Sequence, residues 1–441
     1  MSHQRHHLRP ERQTIPSALP LVAITGTRGK STVAWLLYRM ARAHRLAAGL
    51  WCTSGVYIDD QQLAGELKPW AAIVRALSVG DLDVAIQELE PPVVASVGLP
   101  EATYELAAIT TLCGNDETCM IAPAVRSAPR AHEIVVRAVH PGGTLVLNAD
   151  DPAVLQLATR RTGRVVLFGL HPENPAIRRC RATGAPAIWY SNGSIVTNRA
   201  LLHYGSRSAP AATLQPTEAA ATSRPGADEP SPRPGTNHRT TIPSEVPLLQ
   251  VQEIPCTLEG ALTFQIQNVM CATALALALG IPPSTIRAVT SRFVPSPAVL
   301  PGSCNLVPIC GREVLIDGAR YPWMLRPLIR GIRQRKPRKT FVLTHDFPWL
   351  SEDELREVGR ILGRVRGMIV AYGLSSDDRL RTLSEGIAHN VLPPVVVTQP
   401  AVEQALRSVL NLARAGDVCL VLASNPEGVI RLLSRLGAEG R

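Results

Sequence analysis

One stretch, LVAITGTRGKSTVAWLL from Leu21 to Leu37, limits the architecture of this chain more than any other. A short β-rich apolar run enters a turn containing Gly26, Gly29, Lys30 and Ser31, and Val33, Leu36, Leu37 and Met40 then recur on one helical face. A strand, a glycine turn and a helix in that order form a phosphate cradle. Glycines let backbone N–H groups close around phosphate oxygens, and the helix N-terminus adds positive potential. Lys30 can then reach the terminal phosphates and Ser31 can hold Mg²⁺. The expected nucleotide contacts are Gly26, Thr27, Arg28, Gly29, Lys30, Ser31 and Thr32; the bland alternative is an incidental glycine turn. Ile24 occupies the place of the first glycine of the longer P-loop, so the loop is the shorter G-T-x-G-K-[ST] form.

The surroundings predict an α/β fold. From Leu21 to about Leu170, LVAIT, LDVAIQE, LAAITTL, GGTLVLN and RVVLFGL alternate with helical patterns, as in a parallel sheet covered by helices. AIWYSNGSIV reads as a hairpin turning at Asn192-Gly193. From about His203 to Pro247 the chain is rich in Pro, Ser, Thr and Ala, the composition of a disordered insertion. NVMCATALALALGI is then expected as a buried helix and PSPAVLPGS as an interdomain linker. EVLID, KTFVLTH, GMIVAYG, PVVVTQ and DVCLVLAS form a second βα series, with Ser351 and Glu354 in a capping-box pattern.

The 441 residues, 45% hydrophobic, suffice for two or three domains. No run of about 18 apolar residues and no N-terminal apolar stretch suggests a membrane span or export, so a cytoplasmic protein is expected. Nine scattered cysteines without a C-x-x-C pair fit buried thiols. The net charge of +10 comes from dispersed arginines without an aromatic-rich basic module, which makes nucleic acid an unlikely partner.

TGTRGKST resembles the ATP loop of the Mur ligase superfamily, which joins a carboxylate to an amine through an acyl phosphate. Further motifs, GVYIDDQQL, VVRAVHPGGTLVLNADDPAVLQLA, FQIQNVMCATALALALGI, LPGSCN and VLIDGARYP, are similar in order to those of the C-terminal ligase half of cyanophycin synthetase and, more distantly, of poly-γ-glutamate synthetase. The resemblance implies a tail over residues 1–19, a central P-loop ATPase domain over 20–295 containing the insertion, and a Rossmann-like C-terminal domain over 296–441. The active site would lie in the cleft between the two domains.

It also implies roles for individual residues. Glu88 falls where the family's glutamate binds Mg²⁺, against the alternative of a solvated loop carboxylate. Asp116 is retained, and Glu117 replaces a histidine in a turn that would take a second metal or be merely polar. His132 replaces a lysine used near the metals; it is a candidate catalytic residue that could bind metal as a neutral imidazole, or a surface helical histidine. Asn268 would meet the base and Asp317 the ribose, with Arg320 supplying the cation lost where Ser303 replaces an arginine.

Two functions follow from this pattern. The first is an ATP- and Mg²⁺-dependent ligase in which Lys30, Glu88 and His132 serve catalysis on an amino acid or peptide. The alternative is a catalytically degenerate nucleotide-binding relative, acting as a partner or regulatory subunit of an active ligase; assembly as a homo-oligomer stays open under either reading. A P-loop switch acting on nucleic acid is a third, weaker reading.

Overall fold

The computed structural model describes residues 20–63, 82–112, 123–161, 163–204, 245–309 and 311–439. They form two sheets. The larger has eleven strands in the order β11-β10-β9-β8-β7-β6-β1-β5-β2-β3-β4. Its central members are β1 (Leu21–Thr25), β5 (Val84–Glu88), β6 (Tyr104–Ile109), β7 (Val139–Asn148) and β8 (Arg164–Gly169). These pair in parallel, with β1 between β5 and β6.

Strand β1 is apolar from Leu21 to Ile24 because both of its faces are covered. Val22 and Ile24 pack into a core shared with helices Lys30–Ala43 and Thr263–Ala278. Ala23 faces the opposite core, which contains Ala131 and Val135 of helix Ala128–Ala138. The same alternation in β6, Leu106 and Ala108 against Ala107 and Ile109, gives three layers. The expected buried helix is Thr263–Ala278, in which Met270, Cys271 and Ala272 are fully buried.

The margins of the sheet are antiparallel. β9 (Ala187–Ser191) and β10 (Ser194–Thr197) form the expected hairpin, with φ of 48° at Asn192 and 79° at Gly193, the positive angles a tight primed turn demands. β10 pairs with β11 (Val246–Gln250), so Val246 and Pro247 belong to the sheet and the proposed insertion ends earlier than expected. Pro247 is tolerated there because β11 is an edge strand. The other margin, β2 (Ala48–Cys52), β3 (Gly55–Ile58) and β4 (Gln61–Gln62), was not foreseen from sequence. Residues 1–19 and 205–244, for which a tail and an insertion are expected, lie outside the described residues.

The second sheet runs β12-β13-β17-β14-β15-β16. Its parallel strands β13 (Arg312–Asp317), β14 (Thr340–Thr344), β15 (Gly367–Tyr372), β16 (Val395–Gln399) and β17 (Val418–Leu422) are the five βα strands expected. β12 (Asn305–Ile309) is an added antiparallel edge. Ser351 and Glu354 cap helix Glu352–Leu362 reciprocally, as the sequence pattern predicts. Six described cysteines are free and buried. Among the described residues no helix is long and apolar enough to cross a membrane.

The two sheets share cores. Trp323, at the start of helix Pro322–Gln334, is 7% exposed and packs into a core of the larger sheet, while Ala261 and Leu262 pack into the core of the smaller one. Gly331 permits the approach, since a Cβ there would stand 2.5 Å from the Ala261 carbonyl oxygen.

Candidate active site

Ligands collect at strand C-termini in open α/β sheets, where successive connections leave in opposite directions. Here β1 connects toward β2 and β6 toward β7, on opposite sides of the sheet. The C-terminal ends of β1, β5 and β6 contribute the glycine loop, Glu88 and Thr110 respectively.

The loop geometry demands its glycines. Gly26 has φ of 137° and Gly29 88°, values unfavourable for any side chain. A Cβ would meet Thr110 Oγ1 at 2.0 Å from Gly26 and Asn268 Oδ1 at 2.1 Å from Gly29. The Thr110 hydroxyl donates to the Arg28 carbonyl at 2.6 Å, fixing the bend from below. Helix Lys30–Ala43 then begins directly from Gly29, so its free amides open onto the loop.

Ser31 Oγ donates to Glu88 Oε1 at 2.7 Å. Glu88 is only 6% exposed at the end of β5 and also accepts from the Thr53 amide at 3.0 Å and the Thr53 hydroxyl at 3.1 Å. The solvated loop carboxylate is thereby corrected: burial in a parallel strand, with three donors converging, holds Glu88 in place. Thr53, which orients it from the β2–β3 turn, left no signal in the spacing.

Lys30, buried to 8% exposure, directs Nζ at Glu90 Oε1 across 3.3 Å. Glu90 is another residue that sequence reasoning missed. Two loop side chains are occupied by protein. Thr27 donates through its amide (2.9 Å) and its hydroxyl (3.1 Å) to the Thr111 carbonyl, and its hydroxyl also to the Leu112 carbonyl. The Arg28 guanidinium lies 3.7 Å from the centre of the Phe264 ring and donates to the Met324 carbonyl at 2.7 Å. Backbone rather than these side chains is left to meet phosphate; Thr32, 4% exposed, stands with Lys30 and Ser31 in the cleft wall.

His132 is 2% exposed, so the surface histidine is corrected as well. It falls on the buried stripe of its helix, Ala128, Ala131, Val135 and Val136. Burial pushes its pKa down to about 4, with nearby Asp151 opposing and Lys30 reinforcing the shift. The ring is neutral at pH 7, and Nε2 has no hydrogen-bond partner. Asp151, from the NADDP turn, accepts from the Thr111 hydroxyl at 2.8 Å and the Leu112 amide at 2.7 Å, locking the end of β6. Asp116 and Glu117 lie outside the described residues.

Opposite the loop, a cleft of about 370 Å³ is walled by Asn268, Asp317, Arg320 and Ser303. Asn268 packs on Gly29 and donates to Gln265 Oε1 at 2.9 Å. Asp317, 3% exposed at the end of β13, accepts from the Ala319 amide and the Cys304 thiol, each at 2.8 Å. Burial raises its pKa, with Arg28 acting in the opposite sense. The Arg320 guanidinium lies 5.9 Å from the centre of the Trp349 ring, and its carbonyl accepts from Trp349 Nε1 at 3.0 Å. The expected linker is held in place by Asn305, whose Nδ2 donates to the carbonyls of Pro295 (3.0 Å) and Leu300 (2.9 Å).

The residues present suit a nucleotide with its cation. Two glycines form a cradle that a Cβ would fill, and the buried Ser31–Glu88 pair presents the hard oxygens that Mg²⁺ prefers. Among the described residues no three His, Cys, Asp or Glu side chains converge as a self-sufficient metal cage.

A glycine loop at the centre of one largely parallel sheet, facing the strand ends of a second, matches the fold of solved Mur ligases, and the chain is similar in sequence to the ligase half of cyanophycin synthetases. Its sequence relatives include the cyanophycin synthetase of Crocosphaera subtropica, 25% identical over 379 residues; the match takes in 86% of this chain and 38% of the relative, so the chain spans about two fifths of that protein's length. Similar solved structures include a UDP-N-acetylmuramoylalanyl-D-glutamyl-2,6-diaminopimelate–D-alanyl-D-alanyl ligase from Acinetobacter baumannii, at 15% identity and a TM-score of 0.58, covering 96% of this chain and 76% of that one. Another is a bifunctional folylpolyglutamate synthase/dihydrofolate synthase with Mn, AMPPNP and L-glutamate bound, at 17% identity and a TM-score of 0.55, covering 95% and 90%. No family model matches the chain.

Proposed function

We propose that this protein is an ATP-dependent carboxylate–amine ligase, with residues 20–295 as the nucleotide domain and 296–441 closing over it. The observation that carries the proposal is the buried Ser31–Glu88 pair at 2.7 Å, adjoining the Lys30 loop and facing Asp317 across a cleft. The ligase name of one solved structure with this fold and the ATP analogue bound in another support it.

In this reading the Gly26–Gly29 amides and Lys30 bind the triphosphate, and Glu90 gives up Lys30 when phosphate arrives. Ser31 and Glu88 would hold Mg²⁺, which when bound neutralises the repulsion between a carboxylate and the phosphoryl group it attacks. Asn268 would contact the base, Asp317 the ribose and Arg320 the outer phosphates. Asp116 and Glu117 are proposed for a second cation. His132, uncharged and buried behind Lys30, would keep the loop's positive charge on the lysine. The product of that attack is an acyl phosphate; an amino acid or peptide amine then forms the amide and phosphate departs. Packing of the second sheet over the cleft excludes the water that would hydrolyse the acyl phosphate.

The test is phosphate release from Mg-ATP across a panel of amino acids and short peptides. Acceptor-dependent ADP formation that Lys30→Ala abolishes is the expected result. Saturable ATP binding with no release under any acceptor would favour the degenerate, partner-subunit reading instead.

A further inference from the structure

The five parallel strands of the smaller sheet begin in one row. Thr340 of β14 pairs with Gly367 of β15 and with Val418 of β17, Met368 of β15 with Val395 of β16, and Glu313 of β13 with Val418. Asp317 ends β13 at the nucleotide cleft, so this row is the opposite end of the sheet, roughly 17 Å away at the rise of a strand. The segments leading into the strands carry charge. Lys336 and Lys339 precede β14, Arg364 and Arg366 precede β15, and Arg414 precedes β17, all five exposed. Backbone bonds tie these segments together: the Arg338 amide donates to the Gly416 carbonyl at 3.0 Å and the Thr340 amide to the Arg366 carbonyl at 2.8 Å. Basic residues dispersed along the sequence are thus gathered on one end of the fold.

The carboxylates of this row are already engaged. Glu313 accepts from Arg335 at 2.9 Å, and buried Asp417 takes a bidentate pair from Arg338 at 2.8 and 3.0 Å. Among the described residues none of the five basic side chains has an ion pair or a hydrogen bond. A helix C-terminus favours a nearby cation, which explains a residue such as Arg333 in the last turn of helix Pro322–Gln334. It does not explain what stands beside the arginines. The loop from helix Asp377–Ala388 into β16 turns Val391 and Leu392 outward, 97% and 85% exposed, with Val395 at 61%. Asn390 holds the root of that loop, its Nδ2 donating to the carbonyls of Arg360 at 3.2 Å and Ile387 at 3.1 Å.

Two apolar side chains held out beside a field of uncompensated cations match a surface that is negatively charged and has an apolar layer just beneath. A nucleic acid duplex supplies the charge without that layer, and the segments RKPRK, GRVR, HNVLPP and ARAGD contain no Phe, Tyr or Trp to stack on unpaired bases. We propose that this end of the smaller sheet docks on an anionic lipid surface. Val391 and Leu392 enter the headgroup boundary, and the five basic residues pair with lipid phosphates. The protein lies on the bilayer without crossing it, and the nucleotide cleft faces away from the lipid. The inference is independent of the ligase reading.

The experiment floats the full chain with vesicles of phosphatidylcholine alone, and of phosphatidylcholine and phosphatidylglycerol in equal parts. Binding to the mixed vesicles only, weakened by salt, is expected. Arg364→Gln combined with Arg366→Gln should weaken it by about ten-fold or more, the effect of removing two cations from the surface. Leu392→Ser should weaken it about five-fold while preserving the salt dependence. Leu392→Trp should shift emission to the blue, relative to the wild type, on the mixed vesicles alone. The substituted side chains are exposed, and melting curves check that each variant folds.

Equal flotation with both kinds of vesicle, or with neither, overturns the inference. So does full binding by Leu392→Ser with no emission shift from Leu392→Trp, which would leave a surface of charge alone. Tighter binding to duplex DNA than to the mixed vesicles in the same buffer would make nucleic acid the partner instead. A concentration-dependent dimer that Leu392→Ser dissolves in sedimentation would assign the apolar pair to a second copy of this chain.

Discussion

At the scale of single residues, the site is tuned by what Lys30 and His132 meet before any nucleotide arrives. Glu90 holds the Lys30 ammonium at 3.3 Å while remaining 45% exposed, so the contact is a weak, screened competitor for phosphate. Glu90→Gln should tighten AMPPNP binding by roughly two- to five-fold in calorimetry, the equivalent of up to about 1 kcal/mol; weaker binding would show that Glu90 organises the loop instead. His132 makes a prediction about pH. Its folded pKa near 4 lies below that of an unfolded histidine, so the unfolded chain takes up a proton first as pH falls. The associated stability is intact above pH 6.5 and is lost progressively down to pH 4. Denaturant titrations at pH 7 and pH 4.5 should show the wild type losing up to about 3 kcal/mol more than His132→Leu, and parallel losses would refute the account. Glu90, by contrast with Lys30, could not have been read from the sequence, because nothing in ELEPP says which carboxylate turns toward the loop.

Individual elements show where sequence reasoning succeeds and where it stops. Ten strands were legible because each is an apolar run bounded by polar or glycine residues; nine of them are largely buried, as a central parallel strand must be apolar on both faces, and the tenth, β16, is an exposed edge. The bend of the glycine loop was legible for a related reason: positive φ at Gly26 and Gly29 restricts the residue type, so geometry is written directly into composition. The β2–β4 margin was not, since AGLWC, GVYI and QQ are short and their pairing depends on neighbours distant in sequence. The side chain of Arg28 misled in the same way; it belongs to the loop proposed to hold phosphate, but Phe264, brought in by a helix more than two hundred residues later, takes its guanidinium. Gly29→Ala tests the loop as a unit. Its Cβ would strike Asn268 and its φ of 88° would be strained, so loss of AMPPNP binding together with about 1–3 kcal/mol of stability is expected. Full retention of binding would mean the loop can re-form without that conformation. Helix Glu352–Leu362 makes a milder case: Ser351→Ala removes its cap and should cost about 1 kcal/mol in thermal melts, with turnover unaffected.

For the molecule as a whole, the shared cores couple the two sheets. Trp323 is buried among residues of one sheet and Leu262 among those of the other, with Gly331 against the Ala261 backbone between them. Gly331→Val should force that junction apart, costing about 1–3 kcal/mol and reducing ligase turnover more than AMPPNP affinity; an equal reduction in both would argue that the junction only supports the loop. The larger sheet has a different opening at its far side. The chain leaves it after Tyr204 and returns at Glu245 to form β11, an outermost strand six places from β1. That position makes the edge a docking port for cargo: a fluorescent reporter spliced between those two residues would ride on the protein well away from the proposed cleft, turning a stretch with no assigned chemistry into a handle for following the protein in solution.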